Sequence, residues 1–530
     1  MNASDPACLD AHKRPQGAAH VSLLVVGAGA AGAAAAIAAA KFGIDTQLID
    51  EHPVPGELMA LDVPLHFGQR MARSSSNARS MEHILETSAE LAEAYDLGID
   101  VQLGVCAWGV FPAAPGSGAS PLLVGLADAG RSWYVSCDRL IVASGARDLC
   151  IGFPGWEKPG VMGAQAALQL MRRYDAFTGS RMLILGGGAL AVEVLEVARQ
   201  KGITVVGVVD AETPSEADEP AARIRDTGVP HYTGHLIESA HGSLAVESAV
   251  IVGLDEECRP RAGTKLTLGC DTIVLAIGTV PNIELLDALD VRLDFAPSCG
   301  GWIPRCGPDG ATSIPSVYAA GDCAGLGGAA AEEGKCAAHA AVTSLGRAAS
   351  PTPHAARART ADGSVPRART WMRAQLAISG LDVPVCQCEE VSRRELIGLR
   401  PPRYLGTCEP QRVARDLRAL GTDGPLNQDQ VKRLTRAGMG PCQGRRCREQ
   451  IQILLETAGD AKPGTIPLAR YRPPVRPLPM AVLAADEEAA ALRDHWVAWF
   501  NISTQWLAHW EPKPVPLTAP GQTPLVGESE

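Results

Sequence analysis

Apolar positions along this chain twice change period from strand to helix. In VSLLVVGAGAAGAAAAIAAAKFGIDTQLIDE, residues 21 to 26 are an unbroken apolar run of strand length. Gly27, Gly29 and Gly32 then open an Ala-rich helical stretch, and a second short strand ends on Asp50. The apolar block from 21 to 40 has the length of a membrane span, but its three glycines fall in a turn pattern. It therefore reads as strand, turn and helix. The same order returns in RMLILGGGALAVEVLEVARQKGITVVGVVDAE, with Gly186, Gly188 and Ala191 at the turn and Asp210 closing the strand. Three shorter apolar runs follow the same grammar: CDRLIVASGARD, CDTIVLAIGTVPN and TSIPSVYAAGDCAG.

Each unit has the parts of a dinucleotide fold. The first glycine permits a tight turn, the second lets backbone approach a pyrophosphate, and the third lets helix and strand pack closely. Ala is tolerated at that third place, as at Ala191, because its role is packing. In the first unit the turn residues are Gly27, Ala28, Gly29, Ala30, Ala31 and Gly32. The pyrophosphate would rest on the helix N-terminus, whose free N–H groups and dipole favour negative charge. Asp50, with Glu51 next in line, can accept hydrogen bonds from a ribose, and Asp210 can do the same in the second unit. No arginine follows Asp210 to welcome a 2′-phosphate.

Composition narrows the class. A chain of 530 residues exceeds one compact core and predicts two to four domains. With 55 glycines, 46% hydrophobic residues and 4% aromatics, it fits α/β sheets and tight turns. A net charge of −11 argues against a nucleic-acid or anionic-membrane surface as the main partner. The first twenty residues hold no apolar core of signal-peptide length, and the fifteen cysteines follow no secreted framework. A cytoplasmic protein with mostly reduced cysteines is expected. Cys106, Cys137 and Cys150 read as core filler.

Residues 346 to 370 are rich in Ala, Pro and Arg and read as a linker. Beyond it, VPVCQCEEV carries Cys386 and Cys388, and GMGPCQGRRC carries Cys442 and Cys447. Four thiolates can hold zinc or an iron–sulfur cluster. Zinc sites more often use C-x2-C knuckles or histidine, and no histidine lies between residues 355 and 494. Unliganded thiols are the remaining reading. Cys408, between the pairs, is set aside as a bystander. No C-x-x-C or C-x4-C precedes residue 386, which speaks against disulfide-reductase chemistry.

The two glycine turns and the three shorter runs, in that order, resemble the two-dinucleotide-domain flavoprotein reductases. The resemblance implies that the first unit binds FAD, with Ala143, Gly145, Gly321 and Asp322 joining the turn residues and Asp50. Asp322 would hydrogen-bond the ribityl or pyrophosphate region. The cysteine spacing resembles the [2Fe–2S] domain of bacterioferritin-associated ferredoxin. Together with the ending RYRPPVRPLPMAVLA, the chain over residues 20 to 480 resembles the larger subunit of hydrogen cyanide synthase, opine oxidases and heteromeric proline or hydroxyproline dehydrogenases. That family implies a β-type flavoprotein partner that oxidises a C–N bond, and a small third subunit in some complexes. It implies FMN at a subunit junction in some relatives, and ATP or NAD in the second site (Gly186, Gly188, Asp210). The electron acceptor is unnamed, and could place the protein at the periphery of the inner membrane.

The expected architecture is α/β, with two Rossmann-like domains and a small, mainly helical [2Fe–2S] domain. The boundaries are a disordered N-terminus at 1–20, an FAD domain at 21–150 and 260–345, and a second nucleotide domain at 151–259. A linker at 346–375, a cluster domain at 376–460 and a C-terminal tail at 461–530 complete the chain. Where relatives carry Pro-Gly-Gly-Gln, this chain has Pro55, Gly56, Glu57 and Leu58. The tail places Trp496, Trp499, Phe500, Trp506 and Trp510 near one helical face, for internal packing or for an interface with another chain. No catalytic residue stands out; His66 and His339 are candidates by residue type alone. A self-contained NADH-dependent reductase using Gly186, Gly188 and Asp210, with Glu193 on the following helix, is the competing function. A purely structural subunit is a third.

Overall fold

The computed structural model describes residues 19–54, 77–113, 122–215, 217–347, 363–405 and 416–483. The 55–58 stretch, His66, Cys408 and the tryptophan-rich segment lie outside them.

Strand β1 (Ala19–Val26), helix α1 (Ala30–Lys41) and strand β2 (Thr46–Asp50) form the first unit. β1 pairs in parallel with β2 on one side and with Ser132–Val142 on the other. Its apolar run is continuous because both faces are covered. Leu23 and Val25 enter a core shared with α1, and Leu24 and Val26 enter a second core on the opposite face. Asp100–Leu103 extends the sheet beyond β2, and an antiparallel meander, Cys106–Pro112 and Leu122–Ala127, covers the other edge. Val317–Ala319 returns to pair with Ser132–Val142. The chain thus closes this domain after leaving it for more than a hundred residues.

Strand β3 (Arg181–Leu185), helix α2 (Ala189–Gln200) and strand β4 (Thr204–Asp210) repeat the plan. The order of this parallel sheet is His231–Thr233, β4, β3, Thr272–Leu275, Val161–Gly163. Thr272–Leu275 pairs directly with β3, so the boundary expected at 259 is displaced past Leu275. The sequence run around it carries no mark of which sheet it joins, since both sheets want an apolar parallel strand. A three-stranded antiparallel sheet, His235–His241, Ser248–Gly253 and Leu266–Gly269, packs beside it.

Helix α3 (Ala330–Ser344) lies against α1, and Gly334 makes that possible. A methyl group on Gly334 would sit 1.9 Å from the Ala31 carbonyl oxygen. Helix α4 (Ser364–Ser379) occupies the second part of the stretch read as linker. Val365, Ala368, Trp371, Met372 and Gln375 are buried along it, with Trp371 only 1% exposed. Arginines at 367, 369 and 373 interrupt the apolar positions and mask the helical pattern in the sequence. Helix α5 (Arg448–Ala458) carries Leu454 and Leu455 into the same core as Leu183 and Leu185 of β3. The C-terminal domain therefore shares a core with the second nucleotide unit.

Two further readings are corrected. The N-terminal strand begins at Ala19, inside the segment expected to be disordered. Residues 471 to 483, within the segment expected to be a tail, fold back over the first domain: Tyr471 and Val475 join its core, and Val475 N–H donates to the Trp108 carbonyl at 2.8 Å. Among the described residues, no helix is long and apolar enough to cross a membrane.

Candidate functional site

The first glycine turn sits at the C-terminal edge of its sheet, where ligands of such folds bind. Gly27 has φ +102°, and a methyl there would lie 2.3 Å from the Ala143 carbonyl oxygen. A methyl on Gly32 would lie 1.7 Å from the Gly27 carbonyl oxygen, which forces glycine at both places. Gly29 differs: nothing lies within 4 Å of its missing Cβ. Gly29 and Ala30 are exposed while Ala28 and Ala31 are buried, so the helix N-terminus opens outward. That open cradle fits a pyrophosphate.

Asp50 fixes the turn from below. Its carboxylate accepts from Ala28 N–H at 2.6 Å and from His52 N–H at 2.8 Å. Glu51 forms an ion pair with Arg476, delivered by the C-terminal segment. Gly321, at φ +72°, donates its N–H to the Glu333 carboxylate at 3.0 Å, and a methyl on it would meet Ala31 Cβ at 2.8 Å. Asp322 follows in the short 3-10 turn Gly321–Ala324, ahead of α3. Turn residues 27–32, Ala143 and Gly321 are thus brought together. Gly145, at φ +69°, accepts from Asn282 N–H at 3.0 Å. His339 is not with them. Its ring packs edge-on against Phe42 with centroids 5.0 Å apart, at the far end of α1 from the glycine turn.

In the second unit, Gly186 has φ +116° and a methyl on it would lie 2.3 Å from the Ala276 carbonyl oxygen. Asp210 tucks under Gly187, and its carboxylate accepts from Glu212 N–H at 3.2 Å. Here the turn is buried throughout, from Gly186 to Gly188. Glu193, on α2, is an exposed carboxylate paired with Arg172.

The four C-terminal cysteines converge from two segments. Cys386 and Cys388 sulfurs are 3.8 Å apart, Cys388 and Cys442 sulfurs 3.6 Å, and Cys447 contacts Cys386. Metal–sulfur bonds of about 2.3 Å at tetrahedral angles give sulfur–sulfur edges of about 3.8 Å, so adjacent pairs fit a shared metal. Among the described residues no group of three or more His, Cys, Asp or Glu is placed to hold a metal ion as it stands. The sulfurs meet pairwise instead. Gly438 N–H points at Cys386 Sγ at 3.4 Å, and a methyl on Gly440 would lie 2.5 Å from Cys388 Sγ. Cys386, Cys442 and Cys447 are buried and Cys388 is exposed. The hydrogen bond with Cys386 pushes the Cys388 thiol up to about 11. Metal ligation would have to displace such protons.

A polar junction joins this loop to the first domain, and sequence reading missed it. Arg147, just after Gly145, forms ion pairs with Glu284 at 2.7 Å and Glu449 at 2.6 Å. Its Nε donates to the Arg445 carbonyl at 2.8 Å, between Cys442 and Cys447 in sequence. Arg448 pairs with Asp287 at 3.1 Å and lies over the Tyr471 ring. The signal available was a charged residue directly after an apolar strand and turn.

Two spliced dinucleotide units, the first with an open phosphate cradle, define a flavoprotein oxidoreductase of the two-dinucleotide-domain class. The chain belongs to the pyridine nucleotide-disulphide oxidoreductase family, whose model matches residues 21–348. It is an FAD-dependent oxidoreductase. The sarcosine oxidase A3 domain matches residues 413–487. The chain is 27% identical to an opine oxidase subunit of Agrobacterium tumefaciens over 87% of this chain and 91% of that protein. It is 26% identical to hydrogen cyanide synthase subunit HcnB of Pseudomonas aeruginosa over 80% of this chain and 90% of that protein. The L-proline dehydrogenase structure from P. horikoshii shares the fold, with a TM-score of 0.61 and 20% identity over 88% of this chain and 79% of that one.

Proposed function

We propose that this chain is the FAD- and [2Fe–2S]-carrying subunit of a heteromeric amino-acid or opine-type dehydrogenase. It takes electrons from C–N bond oxidation in a partner flavoprotein subunit, then passes them to an acceptor. The observation that carries this reading is the Arg147 junction, which ties the flavin-side turn to the cysteine loop through the Arg445 carbonyl and Glu449. Bound FAD would supply two-electron chemistry on one side and release its electrons one at a time to a [2Fe–2S] cluster, which carries one, and the junction would hold the two groups at a fixed separation.

The chain's own residues supply that frame. The turn at 27–32 and Asp50 would hold the dinucleotide, with Ala143, Gly145, Gly321 and Asp322 around it. Cys386, Cys388, Cys442 and Cys447 would ligate the cluster, and pairwise contact suits two thiolates for each iron. The Gly438 N–H supports a thiolate at Cys386. Similarity to component chains of opine oxidase and hydrogen cyanide synthase supports a partner chain. An FMN at the junction between the two would pass electrons from the partner's substrate to this chain. In the second unit the Gly186–Gly188 turn would hold the phosphates of ATP or NAD, with Asp210 at the ribose.

The test is an anaerobic visible spectrum of the purified chain, before and after NADH. Flavin bands with a cluster shoulder that both stay oxidised support the relay. Prompt bleaching by NADH would assign a self-contained reductase instead, and a colourless zinc protein would remove the cluster. Cys386→Ser and Cys447→Ser should each abolish the shoulder and leave the flavin bands.

A further inference from the structure

The two glycine turns differ in one respect that the motif does not explain. The first opens to solvent, whereas the second is covered by a cation. Arg367, on the first turn of α4, lays its guanidinium on Gly188. A methyl on Gly188 would lie 2.8 Å from its Nη1 and 3.0 Å from its Cζ and Nη2. The side chain comes from the C-terminal domain, and its placement is fixed. Ser364 Oγ accepts from Thr279 N–H at 3.1 Å, and a methyl on Gly278 would lie 2.4 Å from Ser364 Cβ. Val365 and Ala368, flanking the arginine, are buried.

The electrostatics of this contact are incomplete. The N-terminus of α2 carries about half a positive charge, and the guanidinium adds a full one beside it. Arg367 Nε is buried and has no hydrogen-bond partner among the described residues. No described carboxylate lies within ion-pair distance of Arg367, and Asp210 acts on it through space. Two cationic groups facing one turn, with a buried donor unsatisfied, are the chemistry of an anion site. Guanidinium forks match phosphate oxygens in geometry as well as charge.

We propose that Arg367 is a phosphate ligand of the second nucleotide unit, so that the phosphates of a bound nucleotide are clamped between the Gly186–Gly188 turn and the first helix of the C-terminal domain. The inference rests on the nucleotide reading of that unit and is independent of the electron relay. The ligand's phosphates then join two domains, and its binding slows the opening of α4. A dinucleotide and a nucleoside di- or triphosphate share the required pyrophosphate chemistry.

The experiment titrates the full FAD-loaded chain with NAD, ADP and ATP by calorimetry, for the wild type, Arg367→Ala and Arg367→Lys. The wild type should bind at least one of them, and Arg367→Ala should weaken that binding about ten- to hundredfold. Arg367→Lys, a point charge without the fork, should fall between. The three ligands separate a dinucleotide from a mononucleotide occupant. Hydrogen exchange across residues 363 to 370 should slow on binding in the wild type and not in Arg367→Ala. Unchanged affinity in Arg367→Ala, or no binding of any of the three by the wild type, would overturn the proposal. The flavin spectrum of each variant reports folding separately, and failure of the relay would show there or in the cluster bands instead.

Discussion

Asp210 carries a charge in a place that resists it. Burial raises its carboxyl from 3.8 to about 6, Glu212 and Asp218 add to the rise, and the Glu212 N–H and Arg367 oppose it. The folded chain therefore holds a proton that the unfolded chain releases at lower pH. That contribution to stability is complete below about pH 3.8 and is lost as pH rises through about 6. Asp210→Asn abolishes the titration, so its stability relative to wild type should improve by up to about 3 kcal/mol between pH 4 and pH 7. Chemical denaturation at the two pH values measures this, and a difference independent of pH would contradict it. Asp50 and Asp210 were legible because their distance from the glycines is set by one helix and one strand. Arg367 and Arg147 were not, because a guanidinium's partner is chosen by tertiary docking and leaves no spacing.

Helix α4 shows the same division one level up. Its C-terminal end is finished by a cation with no carboxylate partner among the described residues: Arg393 is 1% exposed and donates to the carbonyls of Gln375 at 3.2 Å and Gly380 at 2.9 Å. It also donates to Ser379 Oγ at 3.1 Å and to the Gly152 carbonyl, in the nucleotide domain, at 2.6 Å. Burial lowers its guanidinium to about 10, so it stays charged at neutral pH and complements the negative end of the helix. Arg393→Ala would take a donor from the Gly152, Gln375 and Gly380 carbonyls at once and untie the helix end from the nucleotide domain. A loss of about 3 to 5 kcal/mol is expected, read by chemical denaturation, while Arg394→Ala, at an exposed pair with Asp382, should cost under about 1 kcal/mol. The strands of both nucleotide units were readable from apolar runs alone. This helix was not, since Arg369 needs Glu456 of α5 at 3.1 Å before its place in a buried face makes sense.

At the scale of the whole molecule, the C-terminal domain is held by specific polar contacts laid over a shared core. Trp156 Nε1 donates to the Pro384 carbonyl at 2.8 Å, Gly152 N–H to Gln450 Oε1 at 2.7 Å, and Gln375 Nε2 to the Ile237 carbonyl at 2.7 Å. Arg147 is the largest of these ties, because both its carboxylate partners are nearly buried, at 8% and 13% exposure. Removing one member of such a network strands the others in low dielectric. Arg147→Met should therefore leave Glu449 without its ion-pair partner and Glu284 with only the longer pair to Arg445 at 3.7 Å, costing about 3 to 5 kcal/mol, and should loosen the cysteine loop from the flavin-side turn. The expected outcome is two separated thermal transitions in place of one. Restoring neutrality with Glu449→Gln in the Arg147→Met background should recover part of the loss. A single unchanged transition in Arg147→Met would mean that the apolar core alone docks the domain, and the Arg147 junction would then no longer support a fixed distance between flavin and cluster.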